Sequence, residues 1–259
     1  MITIEDAICT SCGQCIAVCP FTVLEMNADK QVRCNDKQCI ACMHCAAICP
    51  QGAITFDGAS AVSDAVTSLS EHTPEIVQQL MMQRRSYRKF QNCPVPPELI
   101  QQALQTAMLA PSAKNEHPIK WIILQDAEKQ KEIMQAILQF CAETGCSPEI
   151  PLEYARKNNP VMGENAVLLI GYCKKTALNP SQDTAIALAT AELMLQANGI
   201  GTCWGGYLTR FLNQIPSCRT CLQLPADCNV YGTLMLGYPA QNPYRAVPKR
   251  LQALEIQWL

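Results

Sequence analysis

Cys9-Thr10-Ser11-Cys12-Gly13-Gln14-Cys15-Ile16-Ala17-Val18-Cys19-Pro20 and Cys39-Ile40-Ala41-Cys42-Met43-His44-Cys45-Ala46-Ala47-Ile48-Cys49-Pro50 are two copies of one cysteine spacing, offset by thirty residues. Three cysteines on tight turns can grip three irons of one cube, while the fourth, carried away by the proline, reaches across to the other cube. The spacing therefore implies two [4Fe–4S] clusters. Cys9, Cys12, Cys15 and Cys49 are expected around one, and Cys39, Cys42, Cys45 and Cys19 around the other. A disulfide knot or a pair of zinc sites is the alternative. Structural zinc takes four ligands per site, commonly as two separated pairs, which fits a repeated run of four closed by Cys-Pro far less well.

At 259 residues the chain is too long for this module alone and suggests two domains. Its net charge is −2 with 16% charged residues, and Arg84, Arg85, Arg88 and Lys89 form the one short basic cluster. Neither a nucleic acid nor an acidic membrane surface is implied as partner. No apolar span approaches the ~20 residues that cross a bilayer, and the N-terminus lacks the basic and apolar regions of a signal peptide. Thiolates reserved for iron must stay reduced, so a cytoplasmic location is expected. Of the nine other cysteines, most read as small buried hydrophobes. Cys218, Cys221 and Cys228 offer three sulfurs with no nearby histidine, short of a four-coordinate zinc site.

The cysteine runs belong to an internal repeat. Residues 16–26 and 46–56 each pass through Cys-Pro into a short apolar stretch, Phe21-Thr22-Val23-Leu24 and Ala53-Ile54-Thr55-Phe56, read as a brief strand. Two such halves related by a pseudo-twofold give a module over residues 1–57 that relies on metal for its stability. Residues 58–73 read as a small, polar linker. The second domain, 74–259, opens with helix signals: Thr73 as N-cap, Pro74 at the first helical position and Glu75 in the first turn. Helices are expected over 76–84, from Pro96-Pro97-Glu98 to before Pro111, over 128–141, over 181–198 and in a short piece ending at Ile215. The helix over 181–198 is apolar all round, as in a core or a subunit interface. Strands are expected over 119–125, 167–173 and 230–236, the second a continuous apolar run suited to a sheet centre. Residues 243–259 read as an irregular tail. Without regular βα alternation the fold class is α+β.

Gly199-x-Gly201-x3-Gly205-Gly206 follows a helix, whereas a dinucleotide fingerprint follows a strand and opens a helix. These glycines are expected to cap the helix and let backbone approach a flat ligand. Three other segments accompany them: Arg84-Arg85-Ser86-Tyr87-Arg88-Lys89-Phe90, Ala110-Pro111-Ser112-Ala113-Lys114-Asn115-Glu116-His117-Pro118, and Pro248-Lys249-Arg250.

In order and spacing these four segments resemble the FMN-binding nitroreductase family over roughly residues 74–259, and the N-terminal part is similar to a two-cluster bacterial-type ferredoxin. The whole chain resembles a ferredoxin–nitroreductase fusion. The resemblance implies a three-layer α+β domain with a mixed central sheet, in an intertwined homodimer with FMN at the interface. Arg84, Arg85, Ser86 and Arg88, with Lys249 and Arg250, are then expected at the flavin phosphate and ribityl chain, where fixed guanidinium and hydroxyl groups make charge-assisted contacts. Asn115 is expected at the pyrimidine edge of the ring. Pro111 and Ser112 would form the wall beside the ring, and Trp204, Gly205 and Gly206 would pass next to it. His117 stands where many relatives have Gln, and Trp121 is displaced by two. His117 is a candidate proton donor, with a turn or core histidine as the competing reading.

The implied activity is that of an FMN-dependent oxidoreductase. Electrons from a low-potential donor such as a ferredoxin or flavodoxin would pass through the clusters to FMN and on to a small nitroaromatic, quinone or enone-like acceptor. NAD(P)H is less expected, because the clusters supply electrons. The alternatives are the same cofactors run in the oxidative direction, and a non-enzymatic electron-transfer adaptor or redox sensor.

Overall fold

The computed structural model describes residues 1–60, 69–240 and 255–258. The chain divides into two units, Met1–Glu71 with Lys114–Glu116, and His72–Ala113 with His117–Leu259.

The first unit is built from β1 (Ile2–Ile4), α1 (Gln14–Ala17), β2 (Leu24–Met26), β3 (Val32–Cys34), α2 (His44–Ile48), β4 (Ile54–Phe56) and β5 (Ala59–Ser60). The thirty-residue offset of the cysteines recurs in the strands, since β3 stands to β1, and β4 to β2, as one copy to the next. Pairing is reciprocal: β1 joins β4 (Ile2↔Phe56, Ile4↔Ile54), and β2 joins β3 (Leu24↔Cys34, Met26↔Val32). Each half lends a strand to the other, as a pseudo-twofold requires. β5 corrects the linker reading at its start. Asp57 and Gly58 both have positive φ, 48° and 81°, which makes a tight hairpin turn and pairs Ala59 with Phe56. The rest of the expected linker lies largely outside the described residues. Val23, Leu24, Val32, Ala46 and Ile54 are the buried residues packed with Cys15 and Cys45. So small an apolar core suits a unit dependent on metal.

The second unit contains α3 (Thr73–Gln83), α4 (Pro97–Ala107), β6 (Lys120–Leu124), α5 (Ala127–Thr144), α6 (Glu149–Ala155), β7 (Val167–Lys174), α7 (Pro180–Ala197), β8 (Gly201–Trp204), α8 (Gly206–Gln214), α9 (Pro216–Cys221) and β9 (Cys228–Gly237). The sheet order is β6-β7-β9-β8, and all three pairings are antiparallel. Among the described residues, parallel pairing enters through the single bridges Ser86↔Thr202 and Lys89↔Glu164. β7 and β9 occupy the centre and have both faces covered. Leu168, Ile170 and Met235 pack under α5, α8 and α9, while Leu169, Leu234 and Leu236 pack under α4 and α7. Alternation of side chains across a strand explains why these two strands read as unbroken apolar runs.

α3 begins at Thr73 rather than being capped by it, and none of its residues is buried. α5 is closed at both ends. The Asp126 carboxylate accepts from the N–H groups of Glu128 and Lys129, and Gly145 ends the helix in the left-handed conformation. α7 buries Thr184, Ala187, Leu188, Ala191 and Leu195 along one stripe but also Asp183 and Glu192. No helix among the described residues is long and apolar enough to cross a membrane.

Candidate functional site

Two cavities in the first unit sort the eight repeated cysteines into the crossed sets. One is lined by Cys19, Cys39, Cys42 and Cys45; the other by Cys9, Cys12, Cys15 and Cys49. The repeat also fixes the backbone between the cysteines. Ser11 and Ala41, and Gly13 and Met43, occupy equivalent positions and all have positive φ, between 52° and 76°. Turns of that kind point successive N–H groups toward a common anion. Ala41 N–H donates to Cys39 Sγ at 3.4 Å and Ala53 N–H to Cys49 Sγ at 3.3 Å. Burial would raise the Cys19 thiol, but backbone N–H groups of Val23, Phe21, Leu24 and Thr22 outweigh it and hold the thiol below its ordinary value. Burial pushes Cys15 and Cys45 up. Among the described residues no three His, Cys, Asp or Glu groups close on a single ion. Four sulfurs around each cavity, with N–H donors aimed at Cys39 and Cys49, fit a cubane rather than zinc.

The segment Lys114–Glu116 belongs with this first unit. Lys114 and Asn115 are left-handed, and Asn115 Nδ2 donates to the carbonyls of Ile40 and Ala41 at 3.1 and 3.2 Å. Its amide donor is thus engaged by the loop between Cys39 and Cys42.

In the second unit, residues after α3 run beside β8. Ser86 bridges Thr202, and Tyr87 N–H donates to Thr202 O at 2.8 Å, which brings Arg84, Ser86 and Arg88 to this strand. The organiser is Glu192, only 5% exposed. Its carboxylate accepts from Thr202 Oγ1 at 2.9 Å and from Trp204 Nε1 at 3.0 Å, and lies 3.6 Å from Arg84 Nη1. Gln196 Nε2 donates to Thr202 Oγ1 at 2.7 Å. Burial raises the Cys203 thiol, opposed by the Arg88 charge and the Ser86 hydroxyl. Arg85 is turned elsewhere. Its guanidinium donates to the carbonyls of Met82 and Arg84, both at 2.7 Å, at the C-terminal end of α3. No motif signalled Glu192, which with Asp183 is one of two acids in an otherwise largely apolar helix, and Thr202 stood inside the glycine segment without a role assigned to it.

Trp204 keeps its ring 40% exposed while its N–H is held. Gly205 N–H donates to Thr233 O at 2.9 Å, and a Cβ on Gly205 would overlap Thr233 Oγ1, whereas one on Gly206 would meet nothing within 4 Å. The glycine pair thus has one member demanded by packing and one facing open space. Gly205→Ala is expected to destabilise the second unit by about 2 kcal/mol, read as a fall of roughly 4–8 °C in its thermal midpoint.

Pro111, Ser112 and His117 line a different cleft with Trp121 and Asp183. Ser112 Oγ accepts from His117 N–H at 3.0 Å, and Asp183 Oδ1 from Ala113 N–H at 3.0 Å. His117 has φ 43°, so its backbone serves as a turn. Asp183 and Glu192 lie nine residues apart on α7, which separates the two clusters by roughly 14 Å along the helix axis. Lys249 and Arg250 lie outside the described residues. Cys218, Cys221 and Cys228 direct their thiols to separate oxygens, Ile133 O, Glu132 Oε2 and Asp227 Oδ1.

Two family models match this chain: the nitroreductase family over residues 81–238 and a 4Fe–4S dicluster domain over residues 1–50. A protein of Methanothermobacter thermautotrophicus named as an NADH dehydrogenase/NAD(P)H nitroreductase is 30% identical over 166 residues, 62% of this chain and 75% of its own. Among solved structures, a nitroreductase with bound FMN from Bacteroides fragilis aligns with TM-score 0.61 and 21% identity, over 71% of this chain and 98% of that one. A nitroreductase with bound FMN from Desulfitobacterium hafniense aligns with TM-score 0.58 and 19% identity, over 70% and 98%. The α+β layers, the cysteine repeat and these matches agree: the chain belongs to the nitroreductase family of oxidoreductases and carries a 4Fe–4S dicluster domain at its N-terminal end.

Proposed function

We propose that the protein is an iron–sulfur flavoprotein that takes electrons from a low-potential one-electron donor, a ferredoxin or flavodoxin, and delivers them to a small nitroaromatic, quinone or enone-like acceptor. The observation that carries this reading is the pair of cavities lined by the crossed cysteine sets, in a chain whose other unit has the nitroreductase fold. A [4Fe–4S] cluster passes electrons singly, and FMN takes them singly and gives them up as a pair. Cys9, Cys12, Cys15 and Cys49 would hold one cluster, and Cys19, Cys39, Cys42 and Cys45 the other. Arg84, Ser86 and Arg88, joined by Lys249 and Arg250, would hold the FMN phosphate, with Gly205 and Gly206 as the backbone against the ring. Glu192 would fix Trp204 and Arg84 in place before any ligand arrives.

Pro111, Ser112 and His117 would complete the site across a homodimer interface. The exposed apolar residues of α3 support this: Ile76 is 61% and Met81 55% exposed in the single chain. Light scattering with cofactor analysis is expected to give a dimer holding about one FMN and about eight irons per chain, reduced by a one-electron donor and reoxidised by a small quinone. A folded, flavin-loaded monomer would contradict the dimeric site, and a protein the quinone cannot reoxidise would contradict the activity.

A further inference from the structure

The end of α5 brings two thiols together at a place the proposed electron path does not use. Gly145, at φ 68°, donates its N–H to Cys141 O at 2.9 Å, which closes the helix in a left-handed cap. In such a cap the residue after the glycine folds back onto a side chain of the last turn. Here those two positions are Cys146 and Cys141, and Cys146 packs against the core cluster to which Cys141 belongs. Cys141 is 3% exposed and belongs to the core under the sheet, while Cys146 is half-buried at its margin. Burial, then the neighbouring Cys146, pushes the Cys141 thiol up to about 11. The loop that follows is fixed to α8: Arg210 donates to Ser147 Oγ, and Tyr207 OH to Glu149 Oε1 at 2.7 Å. The cap therefore presents an accessible sulfur backed by a buried one.

We propose that Cys141 and Cys146 form a redox-active dithiol, oxidised reversibly by hydroperoxides to an intramolecular disulfide at the C-terminus of α5. The Cys146 thiolate attacks a peroxide oxygen, the O–O bond breaks, an alcohol leaves and Cys146 carries a sulfenic acid. The Cys141 sulfur then displaces that hydroxyl as water. Two thiols and one hydroperoxide thus give one disulfide, one alcohol and one water. The new bond joins the last turn of α5 to the loop carrying Ser147 and Glu149.

The sequence makes the test clean. Trypsin releases residues 132–156 as one peptide whose two cysteines are Cys141 and Cys146. Anaerobically purified full-length holoprotein is treated with one equivalent of cumene hydroperoxide, alkylated, digested and weighed. The expected peptide carries no alkyl group and is about 2 Da lighter than its dithiol form, and dithiothreitol before alkylation restores two alkyl groups. In Cys146→Ser, which retains the helix cap, Cys141 is expected to remain fully alkylatable after the same treatment. Peptide retaining two alkylatable thiols would overturn the proposal. So would a sulfinic acid at Cys146 beside a free Cys141, or either cysteine linked to another peptide.

Discussion

Cys12→Ala is expected to lower the iron content from about eight to about four per chain and to slow donor-driven acceptor reduction at least ~100-fold, with FMN still bound. That factor sits at or above the 10–100-fold typical of losing a group one shell further from a metal. Cys12 is the informative choice because it is exposed, so its removal takes away a thiolate without opening a cavity in the core. It lines the cavity shared with Cys9, Cys15 and Cys49, and three sulfurs leave one iron of the cube without its protein ligand. FMN is expected to stay bound because the proposed flavin contacts, Arg84, Ser86, Trp204 and the glycine pair, belong to the other unit, with its own core on both faces of the sheet. Iron analysis, the flavin spectrum and steady-state turnover check the three parts of the expectation separately.

Glu192→Ala is expected to cost about 3 kcal/mol of stability, within the range for breaking a buried ion pair and stranding its donors. The carboxylate serves Thr202, Trp204 and Arg84 at once, and alanine leaves the Trp204 N–H without its acceptor. Arg84 itself is 38% exposed and can turn to water, so the loss falls mainly on the buried Thr202 bond and the part-buried Trp204 bond. Glu192→Gln keeps the shape and one acceptor oxygen, and is expected to cost about half as much. Urea unfolding of both variants measures the difference. Equal stability of wild type and Glu192→Ala would show that this network does not hold β8 against α7.

Much of the architecture was legible in the sequence because it rests on spacing. The thirty-residue cysteine offset foretold the pseudo-twofold, and the crossed cavities follow the fourth cysteine of each run. The long elements α4, α5, α7, β6, β7 and β9 emerged from apolar period and run length. What stayed hidden was short or glycine-rich: β1 and β3 have three residues each, too few for a period, and Gly201-Thr202-Cys203-Trp204 reads as a loop although it forms β8. The site was legible as a set of segments, not as bonds. Arg85 was grouped with its neighbours by composition, yet its guanidinium closes α3. Asn115 was assigned by its motif, yet its amide binds the Cys39–Cys42 loop. Glu192 was masked by the apolar residues around it, and only its burial beside Thr202 and Trp204 shows its part.

Anaerobic stopped-flow mixing of the holoprotein with a pre-reduced ferredoxin, followed at the flavin absorbance, tests the link between cysteine repeat and flavin most directly. The account predicts flavin bleaching in the wild type and its loss in Cys12→Ala/Cys42→Ala, in which both cysteine sets lack one thiolate; equal bleaching in the two proteins would contradict it.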